Sequence, residues 1–257
     1  MMKILRFNQK LFSEFDDYYR ASRDKIQINN VNDAIQGKQD IQISKKAEKL
    51  YDDWAYARNN YTRDAFVQAV LTAIHNKETF ALGMFVKNDK KQNSAEECQL
   101  EFIKSKFSTL LTKIEGLPKS GKGSLFFKSG AVSSTKGTTK SLDIHMSYTY
   151  SGKTLEIYGT LKHIDNIGGA QDNQFKDLVL TNQEFIKNKT PNLYTITIFS
   201  GSYFKNPKIS ELKTYETDTN RVAQIDSLKD CLVSIIVSWL STNFPDSKDE
   251  QERIKKL

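Results

Sequence analysis

The chain has 257 residues, of which 38% are hydrophobic and 27% are charged, and its formal net charge is +7. Such a chain is long enough to bury a core as one large domain or two small ones, and its composition is that of an ordinary soluble globular protein. The positive charge indicates a polyanionic partner, although a lysine-rich composition can equally reflect the base composition of a genome.

Sequence patterns argue against two further classes. No segment approaches the roughly 18 consecutive apolar residues of a membrane-spanning helix, and MMKILRFNQKLFSEFDDYYR lacks the apolar stretch of a signal peptide, so we expect a cytoplasmic protein without membrane contact. The two cysteines, Cys98 and Cys231, lack the CxxC or histidine spacing of zinc sites. This argues against both a zinc site and a disulfide scaffold.

Residues 1–93 are predicted to form a mostly helical N-terminal region that ends in the polar segment Lys87–Ser94. The Asn- and Gln-rich segment Ile26–Gln42 is typical of a surface loop or an interrupted helix. Apolar residues recur at helical spacing in three groups, which are Phe7, Leu11, Phe15 and Tyr19; Ala47, Leu50, Tyr51 and Trp54; and Phe66, Ala69, Val70, Ala73 and Ile74.

An aromatic cluster in this region has two interpretations. It comprises Tyr51, Trp54, Tyr56 and Tyr61, with Arg58 and Arg63 among them. These rings and guanidinium groups would suit stacking on nucleic-acid bases. The interpretation we prefer is an aromatic helix face that packs into the core.

Residues 94–204 are predicted to form an α/β core. The pattern predicts, in order, a helix over about Ala95–Leu117, a strand over about Ser124–Val132, a β-hairpin, a helix over about Ala170–Lys189 and a strand over Leu193–Ser200. This αβββαβ order predicts a mixed central sheet flanked by helices.

The hairpin is the strongest local prediction. Apolar and polar residues alternate over 142–150 and again over 155–161, with the period of strands that bury one face. If the Ser-Gly turn between them has two residues, Asp143 lies opposite Thr160 and Lys162 lies diagonal to Asp143. A carboxylate and a lysine then converge on the polar face of the hairpin.

That convergence suits metal-assisted hydrolysis of a phosphodiester. Asp143 can hold Mg²⁺ through oxygen, and the metal polarises the phosphate and lowers the pKa of bound water. Lys162 can stabilise charge that develops on the phosphate oxygens and can orient the attacking water. The alternative is a cross-strand ion pair between Asp143 and Lys162 on a solvated sheet face.

Basic residues are concentrated next to this hairpin. Between Lys104 and Lys140 the chain has eight lysines and the single acid Glu115. Lysines that neutralise phosphates release counterions and so favour binding to a nucleic-acid backbone. Lys136, in the small and polar segment Ser133–Thr139, and Lys140 after it are the residues predicted to contact that backbone.

Two amide residues, Gln171 and Asn173, lie in the first turn of the helix that follows the hairpin. A helix N-terminus favours phosphate, and amide side chains can read adenine or contact the backbone, so we predict that both residues lie near DNA. Equally, the same amides would cap free N–H groups of the helix.

Two short segments resemble the PD-(D/E)XK nuclease superfamily, particularly type II restriction endonucleases. They are GTTKSLDI, where Asp143 opens its strand, and GTLKHI, where Lys162 ends the next; GGAQDNQFKDL also looks like a segment of such enzymes. The resemblance covers roughly Ser94–Phe204. It implies that Asp143 is a metal ligand, that Lys162 is the lysine of the triplet Thr160-Leu161-Lys162, and that Mg²⁺ is the cofactor.

One position departs from the pattern of this superfamily. The family expects Asp or Glu where this chain has Thr160, whose hydroxyl carries no negative charge, so the metal loses a ligand. Glu96 or Glu101 on the preceding helix is the more plausible second carboxylate. Glu97 is better explained by a capping box with Ser94.

Residues 205–257 are predicted to form a C-terminal helix and a charged tail. A broad apolar face over about Val222–Asn243 predicts a helix that packs on the core or on the partner subunit of a homodimer. The segment Asp246–Leu257 is predicted to be charged and solvated.

The expected fold is therefore α/β, with a restriction-endonuclease-like core and a helical N-terminal region that contributes to DNA recognition. By the resemblance, the activity is Mg²⁺-dependent, sequence-specific cleavage of double-stranded DNA, with Asp143, Thr160 and Lys162 as catalytic residues and a DNA methyltransferase as the implied partner. One alternative is a non-catalytic DNA-binding module with a degenerate nuclease fold. Another is an interaction domain in which Asp143 and Lys162 form only a surface pair.

Overall fold

The computed structural model describes residues 14–22, 40–76, 78, 91–137, 139–165 and 169–256. The chain divides into two compact units, one formed by Asp16–Lys91 and the other by Met1–Phe15 together with Gln92–Leu257. Within the described residues, no helix combines the length and the apolar content needed to span a membrane.

Helices and short connections make up the described part of the unit Asp16–Lys91. Its residues 16–22 belong to a helix (α1, residues 14–22), and the helices that follow are α2 (Asp40–Asp53), α3 (Ala55–Asn60) and α4 (Arg63–His75). The Thr62 hydroxyl caps α4 by accepting a hydrogen bond from the Ala65 N–H. The predicted helical N-terminal region is confirmed for the described residues.

The core of this unit is formed by Ala47, Ala57, Phe66, Val70 and Ile74. These residues come from α2, α3 and α4, and all but Ala57 belong to the predicted helical patterns. Of the other predictions for this region, Phe7, Leu11 and residues 26–39 of the predicted loop or interrupted helix lie outside the described residues. The end of that segment, 40–42, is helical, as the second alternative allows, and forms the first turn of α2.

The aromatic cluster of this unit lies mostly at its surface. Trp54, Tyr56 and Tyr61 are 46%, 58% and 45% exposed, so the prediction that they pack into the core is wrong for these three. The short helix α3 buries only Ala57, and its one aromatic residue, Tyr56, remains outside together with the flanking Trp54 and Tyr61. Tyr51 is partly buried, and its hydroxyl donates a hydrogen bond to the Tyr61 carbonyl oxygen.

A mixed sheet organises the other unit. Its elements in chain order are α5 (Lys91–Phe107), β1 (Lys113–Gly116), β2 (Phe126–Lys128), β3 (Ala131–Ser133), β4 (Ile144–Tyr150), β5 (Lys153–His163), α6 (Gly169–Phe185), β6 (Leu193–Ser200), α7 (Asn206–Lys213), β7 (Asn220–Gln224), a 3₁₀ helix (Ile225–Ser227), α8 (Leu228–Asn243) and α9 (Lys248–Lys256). The five-stranded sheet has the order β1-β4-β5-β6-β7. β1, β4 and β5 are antiparallel, whereas β5, β6 and β7 are parallel. The predicted α/β class, with a mixed sheet flanked by helices, is confirmed.

The β4–β5 hairpin forms in the predicted register. Ile144 pairs with Gly159 and Met146 pairs with Ile157, as a two-residue turn requires. In that turn Ser151 and Gly152 have φ angles of 47° and 78°. Positive φ at both central residues is the geometry that matches the twist of two antiparallel strands.

The chain before the hairpin differs from the prediction at three points. The helix predicted to reach Leu117 ends at Phe107, a turn follows in which the Leu110 and Leu111 N–H groups donate to the Phe107 carbonyl oxygen, and β1 then pairs with β4. In place of one strand over 124–132, β2 and β3 form a separate hairpin that turns at Ser129 and Gly130. The predicted capping box is wrong because α5 begins at Lys91, which places Ser94 inside the helix.

After the hairpin, most differences from the prediction lie toward the C-terminal end of the chain. β6 occupies the predicted strand Leu193–Ser200, while α6 ends at Phe185 rather than at Lys189. The segment from Asn220 to Gln224 pairs with β6 as a strand, so the predicted helix begins only at Leu228. The prediction of a solvated C-terminal tail is also wrong, because this segment forms α9, in which Ile254 is completely buried.

Both faces of the sheet are covered, and this determines where a cleft can open. On one face, Tyr148 of β4 packs edge-to-face against Trp239 of α8. On the other face, Asn182 of α6 donates a hydrogen bond to the Thr197 hydroxyl of β6. The start of β4 and the end of β5 are left at the border between α5 and α6, and the predicted site lies there.

Candidate active site

A cleft of about 760 Å³ lies beside the start of β4 and the end of β5. Five of the seven residues predicted to be catalytic or nucleic-acid-binding line it, namely Asp143, Thr160, Lys162, Lys136 and Lys140. Glu96 of α5 and Lys119 from the segment after β1 also line the cleft. The structure thus gathers acids, lysines and a hydroxyl from four separate segments into one space.

The main chain around Asp143 is held on both sides. The Asp143 N–H donates to the Gly159 carbonyl oxygen at 2.9 Å, and the Leu117 N–H donates to the Asp143 carbonyl oxygen at 2.9 Å. Gly159 is required here, because a Cβ at that position would lie 2.5 Å from the Ile196 carbonyl oxygen of β6. The position of Asp143 is therefore set by backbone pairing rather than by its own side chain.

The Asp143 carboxylate accepts two hydrogen bonds, both at Oδ2. The Thr160 hydroxyl donates at 2.7 Å and the Leu161 N–H donates at 2.9 Å. Burial raises the pKa of Asp143, the negative charge of Glu96 raises it further, and the two hydrogen bonds act in the opposite direction. No described residue donates a hydrogen bond to Oδ1, so that oxygen can take an external ligand.

Lys162 pairs with Glu96 and not with Asp143. Its Nζ lies 2.7 Å from Glu96 Oε1, and the two side chains are 12% and 9% exposed. The predicted alternative of a solvated ion pair between Asp143 and Lys162 therefore does not describe the site. A largely buried ion pair is costly to form unless its geometry is good, so this arrangement differs from an ordinary surface salt bridge.

The helix α5 carries Glu96 to the cleft because it is attached to the end of β5. Gln99, one turn further along α5, donates hydrogen bonds to the Lys162 carbonyl oxygen and the Ser200 hydroxyl. Glu101 lies on an exposed part of the helix and pairs with Lys104. Of the two carboxylates that the sequence proposed, the structure places Glu96 in the cleft and Glu101 outside it.

The predicted nucleic-acid contacts divide into two groups. Lys136 and Lys140 line the cleft, and Lys140 forms an ion pair of 2.6 Å with Asp177 of α6. Gln171 and Asn173 lie on α6 but do not line the cleft, where the helix presents Gln174 and Asp177 instead. The contact of Gln171 and Asn173 with DNA stays a prediction, and the residues of α6 that face the cleft lie about one turn later in the helix.

Two carboxylates of the cleft, Asp143 and Glu96, carry the oxygen ligands that a hard divalent cation prefers. Among the described residues there is no group of three or more His, Cys, Asp and Glu side chains placed to hold a metal. Mg²⁺ is usually held by only one or two carboxylates, with water and substrate phosphate completing its shell. Asp143, with Oδ1 open, and Glu96 would supply those two carboxylates.

A second cluster of charged groups, unnoticed in the sequence, lies on the antiparallel half of the sheet. His145 Nδ1 lies 2.7 Å from Glu115, and Nε2 contacts Glu156. The imidazole ring stacks on Tyr158 with ring centres 4.3 Å apart. Hydrogen bonding to His145 and then to Lys113 lowers the pKa of Glu115. The two carboxylates lie on opposite nitrogens, so they clamp the ring and do not converge on a common point.

No family model, curated protein or solved structure matches this chain. The likeness to nucleases consequently depends on the short segments named above and on the residues that the fold brings together. The cleft and its neighbouring lysines are the basis for assigning a function.

Proposed function

We propose that this protein is a Mg²⁺-dependent endonuclease that hydrolyses double-stranded DNA, in the manner of type II restriction enzymes of the PD-(D/E)XK superfamily. The observation that carries the proposal is the meeting of Asp143, Glu96 and Lys162 in one lysine-lined cleft. These residues come from a strand end, a helix and a second strand end, and an ordinary surface ion pair would not need all three.

Each residue of the cleft has a distinct task in this proposal. Asp143 and Glu96 would hold Mg²⁺, which when bound polarises the phosphate and lowers the pKa of a water ligand. Lys162, kept in place by Glu96, would stabilise the charge that develops on the phosphate oxygens. Thr160 orients Asp143 through its hydroxyl.

The departure from the family pattern at Thr160 is compatible with this assignment. A hydroxyl at this position cannot add negative charge, but it leaves Asp143 Oδ1 available by binding only Oδ2. Glu96 would then supply the second carboxylate from α5. In this chain the metal ligands would be divided between β4 and α5, with no contribution from the triplet Thr160-Leu161-Lys162 except its lysine.

The charge around the cleft supports a nucleic-acid substrate. Lys136 is exposed at the cleft and forms no ion pair with any described residue. Lys140 is close by, although Asp177 partly neutralises it. With the formal net charge of +7, these lysines favour the binding of a phosphate backbone.

The proposal is tested by incubating the purified protein with unmethylated phage DNA, with Mg²⁺ or with EDTA, and separating the products by electrophoresis. We expect discrete fragments only with Mg²⁺, and none from the Asp143→Asn variant. Fragment ends would then give the recognition sequence and the position of the cut. Intact DNA under all conditions, with a folded and metal-saturated protein, would exclude the nuclease.

A second candidate function is a non-catalytic DNA-binding module. It is favoured by two observations, the neutral Thr160 and the pairing of both Glu96 oxygens with lysines. Such a module would shift DNA in a salt-dependent manner without cutting it, and Asp143→Asn would leave the shift unchanged. Three further features belong to the nuclease proposal only. They are a homodimer that acts on a palindromic site, a methyltransferase partner, and DNA recognition by the helical N-terminal unit.

A further inference from the structure

Glu96 has both of its carboxylate oxygens occupied by lysines. Oε1 accepts a hydrogen bond from Lys162 Nζ at 2.7 Å, and Oε2 accepts one from Lys119 Nζ. A divalent cation held by a glutamate needs at least one of these oxygens. Each oxygen keeps a second lone pair, but a divalent cation bound there would lie beside two ammonium charges, so the departure of one lysine favours metal binding at Glu96.

The two lysines differ in how easily each can break its ion pair with Glu96. The Lys162 side chain is 12% exposed and extends from β5, whose neighbours hold it on both sides. The Lys119 side chain is 43% exposed and belongs to the connection between β1 and β2. An exposed ammonium is easily resolvated, whereas a buried one would lose its partner without gaining water. Lys119 is the lysine that can exchange partners.

Only the side chain of Lys119 needs to move in such an exchange. The Ser141 hydroxyl donates a hydrogen bond of 2.8 Å to the Lys119 carbonyl oxygen, which attaches this connection to the segment leading into Asp143. Two residues earlier, the Leu117 N–H is bound to the Asp143 carbonyl oxygen. The backbone of Lys119 is thus anchored beside the proposed metal ligands in both states.

We propose that Lys119 is a phosphate-binding residue that blocks Glu96 until DNA arrives. When a phosphate enters the cleft, the Lys119 ammonium transfers from Glu96 to the phosphate, and Glu96 becomes able to bind the divalent cation. This inference rests on the proposed function and adds to it that DNA and metal bind cooperatively. By linkage, each ligand raises the affinity for the other by the same factor.

The exchange leaves no buried charge unpaired. Before it, Glu96 is neutralised by two ammonium groups; after it, Lys119 is paired with a phosphate, and Glu96 is paired with the cation and Lys162. An unpaired charge in a largely buried site is strongly destabilising, so a protein that keeps both states accessible must replace each partner. Lys140 cannot act in the same way, because its partner is Asp177 rather than Glu96.

The first test measures the affinity of the DNA-free protein for Mg²⁺ and Ca²⁺ by calorimetry. The Lys119→Met variant removes the ammonium but keeps an apolar stem of similar length, and we expect it to bind both ions about fivefold more tightly than the wild type. Lys119→Arg keeps the ion pair and should bind them like the wild type. Lys122→Met is the matched control, because Lys122 is exposed on the same connection and contacts no described carboxylate; its metal affinity should not change.

The second test adds a short DNA duplex and uses Ca²⁺ as the metal probe, with electrophoresis afterwards to check that the DNA is intact. In the wild type, DNA should raise the affinity for Ca²⁺ by about fivefold or more, and in Lys119→Met this factor should be smaller, because only the phosphate's own contribution as a metal ligand remains. Equal metal affinities of wild type and Lys119→Met, or an undiminished DNA effect in the variant, would overturn the role of Lys119.

These outcomes are separate from those of the nuclease test. If the wild type cuts DNA with Mg²⁺ but Lys119→Met has unchanged metal affinity, the proposed function stands and the exchange is wrong. If neither protein binds a divalent ion, both the proposed function and the exchange at Lys119 are wrong. If Lys119→Met binds metal more tightly but the wild type never cuts DNA, the exchange operates in a DNA-binding module.

Discussion

Asp143 is a residue whose surroundings disfavour its own charge. It is enclosed at the start of β4, faces the negative charge of Glu96, and has a raised pKa although Thr160 and Leu161 both donate hydrogen bonds to it. A site that binds a divalent cation gains from such a pair of neighbouring acids, because the cation relieves their repulsion. The same pair lowers the stability of the metal-free protein.

The substitution Asp143→Asn should therefore separate activity from stability. An asparagine keeps an oxygen that accepts the hydrogen bonds of Thr160 and Leu161 but has no charge, so in EDTA at about pH 7 the free energy of unfolding should exceed that of the wild type. Cleavage with Mg²⁺ should fall by at least about a hundredfold. Urea denaturation and the gel assay measure the two effects on one preparation.

The stability gained by Asp143→Asn should depend on pH with a definite sign. Because the folded protein raises the pKa of Asp143 above the ordinary 3.8, its contribution to stability is fully present below 3.8 and is lost as pH rises through the folded pKa. The amount by which the free energy of unfolding of Asp143→Asn exceeds that of the wild type therefore grows as the pH rises from 3.8 through the folded pKa. It shrinks again on acidification. An advantage that is the same at about pH 4 and at about pH 7 would show that the charge of Asp143 is not the cause.

The sequence could predict which residues lie next to each other only where they are close together in the chain. Asp143 lies opposite Thr160 because a two-residue turn and strict alternation determine the register of the hairpin. The partner of Lys162 could not be deduced in this way, since Glu96 is on a helix far away in the chain. The sequence proposed Glu96 or Glu101 as the second carboxylate, and the docking of α5 through Gln99 places Glu96 in the cleft and Glu101 outside it.

At the scale of elements, the missed strands are the short ones at the sheet edges. β1 and β7 have four and five residues, and their apolar residues also suit a helix. Each becomes a strand by pairing with a segment far away in sequence, β1 with β4 and β7 with β6. Because such pairing is a tertiary effect, intrinsic propensity and periodicity do not report it. The Glu115–His145–Glu156 cluster was missed for the same reason, since it needs β1 beside β4.

The helix α9 provides a test at this scale, because the sequence suggested a solvated tail. Ile254 is completely buried, and the Tyr148 hydroxyl of β4 donates a hydrogen bond to Glu250. We expect Ile254→Ala to lower the free energy of unfolding by about 3 kcal/mol, the usual cost of a cavity at a fully buried aliphatic residue. Lys256→Ala, at an exposed position of the same helix, should change it by less than about 0.5 kcal/mol. Similar small effects of both substitutions in urea denaturation would mean that α9 is not docked.

For the whole molecule, the relevant property is the placement of positive charge relative to the cleft. The formal net charge is +7, yet several lysines at the cleft are already neutralised by acids, among them Lys119, Lys140 and Lys162. Free and paired lysines should contribute differently to DNA binding. A free lysine that meets a phosphate releases a counterion, whereas a paired one must first give up its carboxylate.

This difference predicts unequal salt dependences for two neighbouring variants. Each phosphate contact contributes about 0.9 to the slope of log K against log salt, so Lys136→Met should reduce the slope for DNA binding by about that amount. Lys140→Met should reduce it less, because Asp177 already neutralises this lysine. Lys255→Met, which removes a charge outside the cleft, is the control and should leave the slope unchanged. Fluorescence anisotropy in EDTA over a range of salt concentrations gives all three slopes without cleavage, and an equal decrease in all of them would mean that net charge, and not the cleft, governs binding.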